Sequence, residues 1–203
     1  MTLAHQHLEG SPWSLSGSTG TMAAALAANS VVFAMGAIAD TARISQSVQR
    51  APVEIEAMRV TFTAIVAATT PVTAGRLLRL FKGSDNAQVL PTGGADITPI
   101  PKRTKDQTAD TGLQAGVARI ATTAALTTTG FTRGSVPLAT MDLTGLGAAG
   151  SRFQFEFFFE KRQGSPLWLD PGEILVISNP SQIDAALTWQ LTVDVDYRSR
   201  DSM

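Results

Sequence analysis

The chain has 203 residues, 44% of them hydrophobic and none of them cysteine, which is enough for one sizeable core and excludes disulfides, thiolate metal sites and a cysteine nucleophile. Only 16% of residues are charged, where average soluble domains carry about 25%, so the exterior must be rich in Ala, Thr, Ser and Gly or be covered by partners. The net charge is −1 and the basic residues gather only at Lys102, Arg103 and Lys105, which argues against a nucleic-acid partner.

Residues 1–20 read as an arm, with Gly10, Pro12, Gly17 and Gly20 among scattered Ser and Thr. Leu3, Leu8, Trp13 and Leu15 are its large apolar groups. No basic stretch leads into an apolar run over Met1–Gly10, so no signal peptide is expected. Met22–Ala28 reads as a short Ala-rich helix capped by Thr19 or Thr21. The wider stretch Met22–Ala39 is broken by Asn29, Ser30 and Gly36, too weakly apolar to span a membrane. Ser30–Ala37 reads as the first strand.

Val53–Val66 alternates, with Val60, Phe62, Ala64 and Val66 on one face and Arg59, Thr61 and Thr63 on the other. Arg76–Lys82, bounded by glycines, is a second long-strand candidate. Gly83–Thr111 holds Pro91, Gly93, Gly94, Pro99 and Pro101 and reads as a long surface loop with a contact role. Gly116–Thr128 and Val136–Leu143 return to strand patterning.

Arg152–Glu160 places Phe153, Phe155, Phe157 and Phe159 on one face, which predicts a row buried between two packed sheets. Asp170-Pro171-Gly172 predicts a turn before the strand Glu173–Ser178. Leu187–Arg198 alternates over twelve positions, apolar from Leu187 to Tyr197 and polar from Thr188 to Arg198. Eight or nine strands and no sustained helix predict an all-β, antiparallel β-sandwich, with a jelly roll the first choice. The expected division is an N-terminal arm over 1–40, holding the Ala-rich segment and the first strand, and the sandwich over 41–203 with its loop at 83–111.

Catalytic constellations are sparse. His5 and His7 lack a third ligand and make a poor metal site. Glu54 with Glu56, and Asp194 with Asp196, sit two apart on strands, where a solvated polar face explains them better than acid/base work. No nucleophile elbow, phosphate loop, dinucleotide fingerprint or zinc-protease motif is present. No cofactor or metal is therefore expected, and no enzyme.

The segments Gly75–Gly83 (GRLLRLFKG), Pro166–Pro180 (PLWLDPGEILVISNP) and Leu187–Arg200 (LTWQLTVDVDYRSR) together resemble small jelly-roll virion structural proteins of tailed bacteriophages, capsid decoration or minor head proteins. The resemblance covers Val53–Arg200 and is one of texture. It implies a capsid-associated, non-enzymatic protein in virions assembled in the host cytoplasm. The expected partners are copies of itself, in a trimer, and other virion proteins such as the major capsid protein. Trp13 and Leu15 on the arm, with Lys102, Arg103 and Lys105 on the loop, are the expected partner-binding residues. The alternatives are a receptor- or carbohydrate-binding jelly roll of a head fibre or tail, with Trp13, Trp168 and Trp189 as candidates, and a glycan-cleaving sandwich using Glu54 and Glu56.

Overall fold

The computed structural model describes residues 11–22, 26–36, 53–67, 76–85, 91–102, 118–128, 130–145, 148–159, 167–170, 172–183 and 187–199. These form thirteen strands: β1 (Ser11–Ser18), β2 (Val31–Gly36), β3 (Val53–Ala64), β4 (Leu77–Asp85), β5 (Ala95–Ile97), β6 (Ile100–Pro101), β7 (Ala118–Ile120), β8 (Phe131–Arg133), β9 (Ala139–Asp142), β10 (Arg152–Phe158), β11 (Leu167–Leu169), β12 (Glu173–Ser178) and β13 (Trp189–Ser199). They build a two-sheet antiparallel β-sandwich. One sheet, A, runs β10–β3–β13–β1–β6, with β11 beside β10 on the same flank of β3. The other, B, runs β5–β7–β2–β12–β4, and β4 is flanked by β8 and β9 along successive stretches.

The alternation of β13 decides the interior. Trp189, Leu191, Val193, Val195 and Tyr197 face the core, and β3 answers with Ala64, Phe62, Val60, Met58 and Ile55 at the paired positions. Phe62 and Trp189 stack with centroids 5.0 Å apart. The register shifts between Asp196 and Tyr197, so Glu56 has no partner in the ladder. This β-bulge moves the inward set of β3 from Val53 and Ile55 to Met58, Val60, Phe62 and Ala64. Across the core, sheet B supplies Phe33, Met35, Leu80, Leu175 and Ile177. Before β12 the chain turns, with Gly172 at φ 89° and the Glu173 N–H donating to the Asp170 carbonyl.

Sheet B is apolar on both faces at its centre. All six residues of β2, and Ile174–Ser178 of β12, are buried. A β-strand buried on both faces needs apolar residues at consecutive positions, and VVFAMG and ILVI provide them.

Three sequence expectations change. The arm is not an arm from residue 11 onward: β1 pairs with β13 from Ser11↔Ser199 to Ser18↔Thr192 and is an inner strand of sheet A. Serine and glycine obscured it, but Trp13 and Leu15 at period two are its core-facing residues, 6% and 1% exposed. The described part of the Ala-rich stretch is not helical: Met22 bridges to Trp189, and its side chain is fully buried. The described parts of the 83–111 stretch, residues 83–85 and 91–102, are not a simple surface loop. β4 continues to Asp85, β5 pairs with β7, and β6 pairs with β1 through Trp13↔Pro101 and Ser14↔Ile100.

Candidate protein interface

The residues expected to bind partners are engaged inside their own chain or lie outside the described residues. Trp13 and Leu15 belong to the core, because β1 is a sandwich strand and its apolar face has nowhere else to go. Lys102 is exposed at the surface, where its Nζ sits 2.8 Å from Asp196 and its N–H donates to the Pro12 carbonyl. That pairing ties it to sheet A while leaving its side chain at the surface. Arg103, Lys105, His5 and His7 lie outside the described residues.

The acid pairs are equally occupied. Asp194 accepts a hydrogen bond from the Ser16 hydroxyl at 2.6 Å, and Asp196 faces Lys102. Glu56, on the bulge, is ion-paired with Arg198, while Glu54 is buried at 7% exposure opposite Trp168. Arg198 is also the cross-strand neighbour of Glu54 in the β3–β13 ladder, so both glutamates lie beside one cation rather than forming an isolated acid pair. Of the three tryptophans, Trp13 and Trp189 are core, and only Trp168 is half exposed. Among the described residues, no group of three or more His, Cys, Asp or Glu is placed to hold a metal ion, and no helix is long and apolar enough to cross a membrane.

The feature that stands apart is β10. Its register with β3, Phe153↔Phe62, Phe155↔Val60 and Phe157↔Met58, confirms that the phenylalanines point to the core side. They are nevertheless only partly buried, packed against the core rather than within it. The reason is position: β10 is the end strand of sheet A, so its row of rings lies on the rim of the sandwich. Phe157 and Phe159 stack at 6.5 Å. On the opposite face Phe158 is 59% exposed, beyond Arg152, Gln154 and Glu156.

The main chain of β10 is also half used. The Ser151 carbonyl accepts from the Ala64 N–H, and the Phe159 N–H donates to the Glu56 carbonyl. In an antiparallel ladder such groups alternate from one side to the other. The odd-numbered residues therefore bond to β3, and the amides and carbonyls of Arg152, Gln154, Glu156 and Phe158 point to the outer edge. Among the described residues no strand pairs with that edge. Its side chains are weakly protective: Glu156 is neutralised by Arg59 at 2.9 Å and also accepts from Gln154 at 2.8 Å. An aromatic strand with a free edge and little net charge is a template for another strand.

Comparison with known protein families and with curated proteins finds no match. Function therefore rests on the geometry of the chain itself. The sequence carried the aromatic row in full; what it could not carry was that the strand bearing it closes one end of a sheet.

Proposed function

We propose that the chain is a non-enzymatic structural module that acts by packing against other protein chains, as a capsid-associated protein of a tailed phage virion, either a decoration or a minor head protein. The observation that carries this reading is β10: a seven-residue edge strand with half-buried phenylalanines on one face, exposed Phe158 on the other, and a row of main-chain donors and acceptors that no strand among the described residues pairs with. Such edges are aggregation hazards unless a partner covers them. The low charge content fits a surface covered in an assembly.

The strand order supports a jelly roll. β1–β13–β3–β10 lie in one sheet and β2–β12–β4–β9 in the other, so the chain passes from sheet to sheet between β1, β2, β3 and β4 and again from β9 to β10, β12 and β13. Viral capsid domains are among the proteins built this way, and lectins are too. The carbohydrate-binding alternative is weaker because two of the three tryptophans are core residues. In this reading the partners are copies of the chain and the capsid lattice, and the protein resides in the virion.

The test is composition of the particle. Phage particles banded on a density gradient should contain the chain in many copies, and particles grown with Phe155→Arg in its place should lose it while the isolated variant stays folded by circular dichroism. Particles that never contain the chain would refute the virion assignment.

A further inference from the structure

We infer that the outer edge of β10 pairs with the same strand of a second copy, antiparallel and about a two-fold axis through Phe155. This deepens the proposal above by naming the occupant of the free edge. The argument begins with which main-chain groups are available. Only even-numbered residues present donors and acceptors outward, so an antiparallel partner must set even positions opposite even positions. For two identical strands, that restricts the axis to a whole residue.

The sequence RFQFEFF then selects the residue. An axis at Phe155 uses all seven positions. It sets Gln154 opposite Glu156, an amide facing a carboxylate, and Phe153 opposite Phe157. Phe155 meets its own copy, and Arg152 lies opposite Phe158. That last pair gives the 59%-exposed ring of Phe158 a guanidinium to lie against, a cation–π contact. An axis at Glu156 would oppose Glu156 to itself, and like charges directly opposite are unfavourable. An axis at Gln154 would leave Phe157 facing Ser151 and Phe158 facing Gly150.

The Phe155 register is thus the one in which no like charges meet and every exposed aromatic is covered. It joins two A sheets into one continuous sheet, and the rim phenylalanines of both copies become a single buried row. A contact of this kind is isologous and closes as a dimer, so this edge favours a two-fold pair over the trimer expected from the sequence.

The absence of cysteine makes the register directly readable. Phe155 would meet its copy at a position without ladder bonds, where Cα atoms lie about 4.5 Å apart, within the range a disulfide spans. Phe155→Cys should therefore form a covalent dimer on mild oxidation at least about tenfold faster than Arg152→Cys. An equimolar mixture of Phe153→Cys and Phe157→Cys should cross-link as the mixed pair in preference to either homodimer. The second experiment keeps the register testable if Phe155→Cys folds poorly. Equal rates at 155 and 152, or fastest cross-linking of Gln154→Cys, would overturn the pairing. An oligomer that persists without these cross-links would sink this register alone, whereas a wild-type chain that stays monomeric would sink the packing function with it.

Discussion

β13 and β10 are both strands of sheet A, and both alternate strictly, yet they end in different surroundings. Every inward side chain of β13 from Trp189 to Tyr197 is buried, because β3 and β1 flank it and sheet B lies across from it. No residue of β10 is fully buried, although its inward row is more aromatic. Periodicity assigns a residue to a face. Burial also requires a neighbour on each side, and that is a property of topology. The same apolar alternation therefore fills the core in one strand and leaves half-buried rings at the rim in the other.

The comparison breaks most visibly in stability. Phe62→Ala and Trp189→Ala each remove half of the central stack and should cost about 3–5 kcal/mol, read as a lower denaturation midpoint. Leu15→Ala should cost about 2–5 kcal/mol, because Leu15 is a core residue of an inner strand. An arm docked on a neighbour would leave the isolated domain unaffected by that change. Phe157→Ala should cost clearly less than Phe62→Ala, since its ring is only partly buried, while its effect on self-association should be the larger one.

Ionisation sharpens the contrast between core and surface. Tyr197, the chain's only tyrosine, is 4% exposed, and burial pushes its phenol well above the ordinary value of 10.0. Since the folded-state value is raised, its contribution to stability is intact below pH 10 and is lost as pH rises further. Absorbance at 295 nm should then show phenolate appearing together with unfolding, not before it. At the surface, the hydrogen bond from Arg119 to Asp96, 2.5 Å long, holds the Asp96 carboxyl below its ordinary value of 3.8. A depressed carboxyl stabilises above its unfolded value and ceases to as pH falls through the folded one. Asp96→Asn should accordingly cost at most about 1 kcal/mol at neutral pH, as exposed pairs do, and that difference should fade below pH 3.8.

Much of the sandwich was legible in the sequence. β12 lies where its apolar run and flanking turns put it, and β3, β10 and β13 lie within two residues of their expected ends at every terminus. β1 was not, because Ser14, Ser16 and Ser18 fill its outward face and Gly17 its inward one. The small residue at 17 suits the packing there: a Cβ on Gly17 would come within 2.5 Å of Ile97. β8, only three residues long, has too little pattern to show a period. The site was legible as chemistry and not as place. The phenylalanine row was evident; its half-exposed position depends on which strands pair with β3, a long-range choice that no local window contains. Trp13 looked like an anchor for a neighbour for the same reason, since its partner Tyr197 is at the far end of the chain.

The central claim, that the outer edge of β10 is where this protein meets another chain, can be read from one sedimentation experiment. Gln154→Pro removes an outward N–H while leaving the bonds to β3 in place, and proline is tolerated where an edge strand's N–H faces outward. The wild-type chain should sediment as a discrete oligomer that dissociates on dilution, and Gln154→Pro should sediment as a monomer with a near-native circular dichroism spectrum. A wild-type monomer at every concentration, or a Gln154→Pro variant that assembles as well as the parent, would contradict the account.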